Sequence, residues 1–255
     1  MIWEQGGAKM RYEIYGGGKP ALLLLHGWGC DLTEFSPIIR DFQDKMTIVA
    51  VDFPGHGQSP EPPSPWSVTE YAQCLISLLD ELSLGPVHCL AHSFGGRVLL
   101  WAASHRADLF AKLIITGGAG LPPKDSGTLS FRTRLYKVLN RAAGLLPGSL
   151  RGKAREALVQ RFGSADYKAL TPSMRETFKR VIHQDLTDTL PSVRSSTLLY
   201  WGETDTATPL WMGQTMEKAI PDAGLVVESG VGHYAFLERY GHFKAVMENF
   251  LEVDA

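Results

Sequence analysis

The sequence predicts an α/β protein: a doubly wound, mostly parallel sheet with a helical cap insertion. Three observations predict it. Short, continuous apolar runs recur along the chain, as strands covered on both faces require. Helical patterns separate these runs, which implies parallel strands joined by crossovers. Between about Ala119 and Pro191 the alternation stops, leaving helical pieces and no convincing strand. The expected division is a core of residues 1–118 and 192–255, with residues 119–191 as a cap inserted in it.

The elements follow in order. Residues 10–15 are a candidate antiparallel edge strand. Residues 21–25, 46–51, 86–90, 112–116, 197–201 and 224–227 read as short buried strands. Ser67-Val68-Thr69-Glu70 has the form of a capping box. Tyr71, Leu75, Leu78, Leu79 and Leu82 then recur at helical spacing. Residues 94–104 and 242–251 are two further helix candidates. Within the insertion, residues 131–143 and 152–162 read as helical. Leu121-Pro122-Pro123 and Leu146-Pro147-Gly148 read as loops.

Composition narrows the class. The chain has 255 residues, 44% hydrophobic and 20% charged, which suits one large globular domain, with or without an insertion. A formal charge of -2 gives no general attraction to nucleic acid or an anionic membrane. The amino terminus lacks the basic and apolar regions of a signal peptide. The apolar run at 21–25 is far too short to span a bilayer. Cys30, Cys74 and Cys89 form an odd set without metal-ligand spacing. A reduced, cytoplasmic protein is the expectation. No metal or other cofactor is expected, because His and Cys show no ligand spacing. Gly16-Gly17-Gly18 and Gly117-Gly118 continue into neither phosphate-loop pattern.

The sharpest chemical signal is Ala91-His92-Ser93-Phe94-Gly95-Gly96, set between the strand at 86–90 and the helix at 94–104. A serine on so tight a turn is driven outward at the carboxyl edge of the sheet. Small neighbours are needed where strand and helix nearly touch. The pattern is G-x-S-x-G with Ala91 in its first position. The competing reading is a small-residue turn whose serine merely caps the helix. A second signal, Leu25-His26-Gly27-Trp28-Gly29, follows the strand at 21–25. Acyl transfer needs two donors aimed at the developing oxyanion. The N–H of Phe94 can supply one. The N–H of Trp28 is the natural second, because the flanking glycines let its backbone turn inward. An ordinary Gly-rich loop with a buried Trp competes with that reading.

Ser93 needs a base, and eight histidines compete. His233 lies just after the last strand, in Val231-Gly232-His233-Tyr234. His92 adjoins the serine, but neighbours along a turn point apart. The others lie in a strand, other loops, helix ends or the insertion, so position favours His233. The base needs a carboxylate to fix its tautomer. Asp205 ends Trp201-Gly202-Glu203-Thr204-Asp205, just past another strand, and Glu203 is its nearest competitor. The chain order is then Ser, Asp, His.

With these pieces in place, the chain resembles the α/β-hydrolase superfamily over essentially its whole length, and within it the small capped bacterial carboxylesterases. The matching segments are His26-Gly27-Trp28-Gly29, Asp52-Phe53-Pro54-Gly55-His56-Gly57-Gln58-Ser59, Ala91 to Gly96, Gly202 to Asp205 and Gly232-His233. The superfamily includes carboxylesterases, the esterase that demethylates pimeloyl-acyl-carrier-protein methyl ester, cofactor-free haloperoxidases (perhydrolases) and carbon–carbon bond hydrolases. The resemblance implies a helical cap over the active site and a mainly structural role for residues 52–59. Haloalkane dehalogenases and epoxide hydrolases of this fold carry aspartate at the nucleophile position, where this chain has Ser93.

The expected activity is hydrolysis of a carboxylic ester through an acyl-enzyme on Ser93. Thioesters, lactones, peracids and carbon–carbon bonds next to carbonyls are alternative substrates. A ligand-sensing protein with little turnover is the alternative from another class. Phe131, Tyr136, Phe162 and Tyr167, together with Trp28, are candidates to line an apolar substrate pocket. Packing of the cap onto the sheet is the competing role for each. From Leu121 to Arg180 there are thirteen Lys or Arg against four Asp or Glu, a local charge of +9, leaving -11 on the remainder. A solvated surface explains this. An acidic partner such as acyl carrier protein is the sharper alternative.

Overall fold

Each apolar run becomes a strand in the computed structural model, which describes residues 1–122, 139, 141, 143–144, 147–162 and 165–253. The strands are β1 (Ile2–Gln5), β2 (Ala8–Tyr15), β3 (Ala21–Leu25), β4 (Thr47–Asp52), β5 (Val87–His92), β6 (Phe110–Thr116), β7 (Ser196–Gly202) and β8 (Ala223–Glu228). They form one eight-stranded sheet in the order β1-β2-β4-β3-β5-β6-β7-β8. Pairing is parallel from β4 through β8, and β2 joins β4 antiparallel.

Residues 10–15 are antiparallel, as expected, but they are not the edge. That place belongs to β1, which turns into β2 through Gly6 and Gly7 at φ 60° and 82°. Two consecutive positive φ values suit a two-residue hairpin, and glycine adopts them without strain. β1 is hard to read because only Trp3 of its four residues is buried.

Helices cover both faces. They are α1 (Ser36–Phe42), α2 (Val68–Leu82), α3 (Phe94–His105), α4 (Gly148–Phe162), α5 (Ala165–Ala169), α6 (Pro172–His183), α7 (Trp211–Ala219), α8 (Ala235–Glu238) and α9 (Tyr240–Leu251). Side chains of β3 alternate between the faces. Leu23 and Leu25 join the core under α2, α3 and α7, and Leu22 and Leu24 join the core under α1 and α9. The capping box forms: Ser67 Oγ accepts from the Thr69 N–H at 3.2 Å, and Glu70 Oε2 accepts from the Ser67 N–H at 2.7 Å. Between β6 and β7 the described residues hold helices and no strand. The helix expected at 131–143 falls mostly outside the described residues.

The topology places the site. The chain runs from β3 outward to β4, then returns to lay β5 on the other side of β3. That reversal opens a crevice at the carboxyl ends of β3 and β5, where ligands of such sheets bind. The two loops singled out above, 26–29 and 91–96, border it.

Residues 52–59 brace this edge. Asp52 accepts from the Leu32 N–H at 2.8 Å, the Gln58 N–H at 2.9 Å and Arg11 Nη1 at 2.9 Å. His56 is buried, with its ring stacked on Phe94 at 5.7 Å and edge-on to Trp28 at 4.7 Å. Burial, with His26 nearby, pushes its pKa down from 6.5 to about 3. The unfolded chain would protonate His56 near pH 6.5, whereas the fold keeps it neutral. Stability from this group is therefore complete above about pH 6.5 and declines as pH falls toward about 3. His56→Gln should flatten that decline. Melting temperatures measured across this interval check the expectation, and parallel curves for both proteins would contradict it.

Candidate active site

Ser93 occupies the turn between β5 and α3 with φ 50° and ψ -107°. A non-glycine residue at positive φ is strained and persists only where its surroundings enforce it. Here the enforcement is visible. The Ser93 N–H donates to Thr116 O at 3.1 Å, and Ser93 O accepts from the Ala119 N–H at 3.0 Å. A Cβ on Gly95 would lie 2.2 Å from Leu25 O, so that position admits glycine alone without backbone movement. Ala91 is fully buried within β5, so the extra methyl group is accommodated.

The amino end of α3 brings its first N–H groups and their positive partial charge to this point. Neither the Phe94 N–H nor the Trp28 N–H donates to an acceptor among the described residues. The loop carrying Trp28 is fixed from behind. His26 is fully buried, donates from Nδ1 to Gly27 O at 2.7 Å and accepts the Phe53 N–H on Nε2 at 3.0 Å. Burial lowers its pKa, which suits a neutral ring accepting a hydrogen bond. The Gly27 N–H donates to Glu34 Oε2 at 2.9 Å.

His233 and Asp205 meet across the neighbouring loops. His233 Nδ1 lies 2.7 Å from Asp205 Oδ2. The ionised carboxylate can only accept a hydrogen bond there, which assigns the hydrogen to Nδ1 and leaves Nε2 free to receive a proton. Asp205 is buried, and Oδ1 accepts from the Ala207 and Thr208 N–H groups at 2.8 and 2.9 Å. Burial pushes its pKa up, but the bonds from His233 and Thr208 outweigh that effect and hold it below the usual carboxylate value. Close backbone approach seats the histidine loop: a Cβ on Gly202 would lie 2.1 Å from Gly232 O. Gly117 lies against the imidazole of His233. Glu203, by contrast, is exposed and accepts the Gly230 N–H at 3.0 Å.

Ser93 Oγ makes no hydrogen bond among the described residues. The hydroxyl opens into a cavity of about 310 Å³ lined by Trp28, Phe94, Phe178, Val181 and Met212, with Arg97 also in the wall. Trp28 packs against Phe94 and Phe178 at ring distances of 5.2 and 5.1 Å. Tyr167 lies behind Phe178, 5.8 Å from its ring, and is not among the lining residues. Phe131 and Tyr136, and the side chain of Phe162, lie outside the described residues.

Two features were missed from the sequence. His92 is buried and engaged on both ring nitrogens. Its Nδ1 pairs with the buried Glu34 carboxylate, and its Nε2 lies 3.2 Å from His233 O. Glu34 thus joins the loop of Trp28 to the loop of His233. No local pattern signals a pairing across 58 residues. Arg97 is the other. Its signal was available, since it is the one Lys, Arg, Asp or Glu between residues 94 and 104.

Among the described residues, no cluster of His, Cys, Asp and Glu could hold a metal ion. No described helix is long and apolar enough to cross a membrane.

The fold and the position of these loops define an α/β hydrolase. The chain belongs to the alpha/beta hydrolase fold family, whose model matches residues 20–240. It is 25% identical over 252 residues to the uncharacterized hydrolase YugF of Bacillus subtilis, covering 91% of this chain and 90% of that one. It is 25% identical over 243 residues to the pimeloyl-[acyl-carrier protein] methyl ester esterase of Neisseria meningitidis serogroup A, covering 90% and 76%. The esterase EaEST from Exiguobacterium antarcticum superposes with a TM-score of 0.76 at 22% identity, with 96% of each chain covered. At that identity the superposition establishes the shared fold.

Proposed function

We propose that this chain is a serine hydrolase that cleaves a carboxylic ester or related acyl bond. The observation that carries this reading is the 2.7 Å contact of His233 Nδ1 with Asp205 Oδ2 at the sheet edge that also presents the strained Ser93. His233 Nε2 takes the Ser93 proton as Oγ attacks the acyl carbon. Asp205 stabilises the imidazolium that forms. The N–H groups of Trp28 and Phe94 hold the oxyanion. The leaving alcohol takes the proton from His233, and water activated by the same ring then releases the acid. The apolar wall from Trp28 to Met212 receives the hydrocarbon part of the substrate.

Multiple-turnover assays with p-nitrophenyl acetate and butyrate test this reading. Steady release of many equivalents of nitrophenol per chain is expected. A single burst, or silence, would favour a ligand sensor.

Residues 121–180 support a second element of the proposal, an acidic carrier as partner, because of their +9 charge. Part of that charge is structural. Arg175 is buried and binds Glu156, Tyr167 O and Lys168 O. Arg180 donates to Pro65 O at 2.8 Å. Turnover of acyl-carrier esters should fall more steeply with added salt than turnover of matched neutral esters. Reversing Arg132, Arg134 and Lys137 to glutamate should slow the carrier substrate selectively. Equal responses of both substrates would leave the basic segment as surface chemistry.

A further inference from the structure

Arg97 is 4% exposed and lies in the wall of the cavity that holds Ser93. It stands four residues after Ser93, and its N–H donates to Ser93 O at 3.3 Å. Nη1 donates to Val181 O at 2.8 Å and Gln184 O at 2.6 Å, at the carboxyl end of α6. Nε and Nη2 have no hydrogen-bond partner among the described residues, and neither is a fully enclosed atom. Among the described residues no carboxylate forms an ion pair with the guanidinium. Asp185 is near enough to attract it, but that carboxylate is exposed and accepts from the Thr187 N–H at 2.9 Å and Thr187 Oγ1 at 2.6 Å.

A buried cation without a counter-ion is costly. Burial lowers the pKa of Arg97 from 12.5 to about 10, which still leaves it charged at neutral pH. Two backbone carbonyls satisfy one side of its fork. The other side keeps a parallel pair of N–H donors, the arrangement that matches a carboxylate. The rest of the described wall is mainly apolar, with Trp28, Phe94, Phe178, Val181 and Met212. Ser93 and Arg97 thus border the same largely apolar cavity.

We propose that Arg97 is a specificity-determining residue that binds a free carboxylate on the substrate, so that the preferred substrates are short anionic esters. The inference rests on the serine-hydrolase reading of the same site. The carboxylate could sit on the acyl side, as in a half-ester of a dicarboxylic acid, or on the alcohol side, as in an O-acylated hydroxy acid.

The test compares kcat/KM for monoethyl glutarate and monoethyl adipate with ethyl pentanoate and ethyl hexanoate. A second arm compares O-butyryl glycolate with its methyl ester. In one arm the native chain should favour the anionic ester by about 10-fold or more, as a charge-assisted hydrogen bond allows. The arm that shows this identifies the side of the scissile bond. Arg97→Met should reduce that ratio by about 10- to 100-fold. If Arg97 only anchored α6, both esters would lose activity together and the ratio would stand. Should Arg97→Met fail to fold, Arg97→Lys should lower the ratio in the same direction by losing the planar fork. A native ratio at or below one in both arms would overturn the proposal. So would a ratio unmoved by substitution. If no ester is turned over, the serine-hydrolase reading fails on its own, and calorimetry with adipate decides the subsite. Binding by the native chain that Arg97→Met abolishes upholds it, and absence of binding overturns it.

Discussion

Ser93→Ala should lower ester turnover by about 10⁴–10⁶-fold while leaving the fold intact. The loss is that large because the remaining groups cannot form an acyl-enzyme. His233 would still be held by Asp205 at 2.7 Å, and the N–H groups of Trp28 and Phe94 would still be in place. What remains is binding and oxyanion stabilisation with water as the only nucleophile. Alanine would inherit the positive φ of 50°, so the strain of the turn is unchanged and thermal stability should stay close to native. A fluorophosphonate probe should label the native chain and leave the variant unlabelled. Retained turnover, or labelling at another serine, would show that Ser93 is not the nucleophile.

Asp205→Asn should cost about 10⁴-fold in kcat, in the manner of other triads. The substitution keeps shape and size but exchanges one acceptor oxygen for a donor nitrogen. With that nitrogen facing His233, Nδ1 must become the acceptor. The ring proton then moves to Nε2, the atom that has to receive the Ser93 proton. The lost charge also removes support for the imidazolium. Glu203→Gln is the control. Glu203 is an exposed side chain that holds the Gly230 N–H, so its variant should stay within a factor of about 2–3 of native kcat. If Glu203→Gln proves the more damaging change, the acid has been placed on the wrong residue.

What was legible in the sequence follows from how each signal is encoded. Ala21–Leu25 reads as a strand because both of its faces are covered, which leaves no polar residue in the run. The loop of Ser93 reads because a turn that tight demands small residues at fixed offsets. The loops of Asp205 and His233 read from their place after strands. The edge strand Ile2–Gln5 escaped because a half-exposed four-residue strand has almost no pattern. The helix Pro172–His183 escaped because it buries Arg175 and Thr177 beside Met174 and Val181, so its buried face looks polar in sequence. Arg175 tolerates burial through Glu156 and two carbonyls, contacts that depend on the fold. Glu34 and His92 escaped for the same reason, since only the folded chain brings them together. Charge counting recognised a basic segment, yet it could not separate Arg175, which is consumed by packing, from cations that face solvent.

The proposed reaction passes through an acyl group on Ser93. The most direct measurement is mass spectrometry of the native chain mixed with p-nitrophenyl butyrate and quenched in acid within the first turnovers, followed by peptide mapping. A butyryl group is expected on the peptide containing Ser93, absent from the Ser93→Ala chain. A butyryl group on another residue, or steady turnover with no acylated peptide at any time, would contradict it.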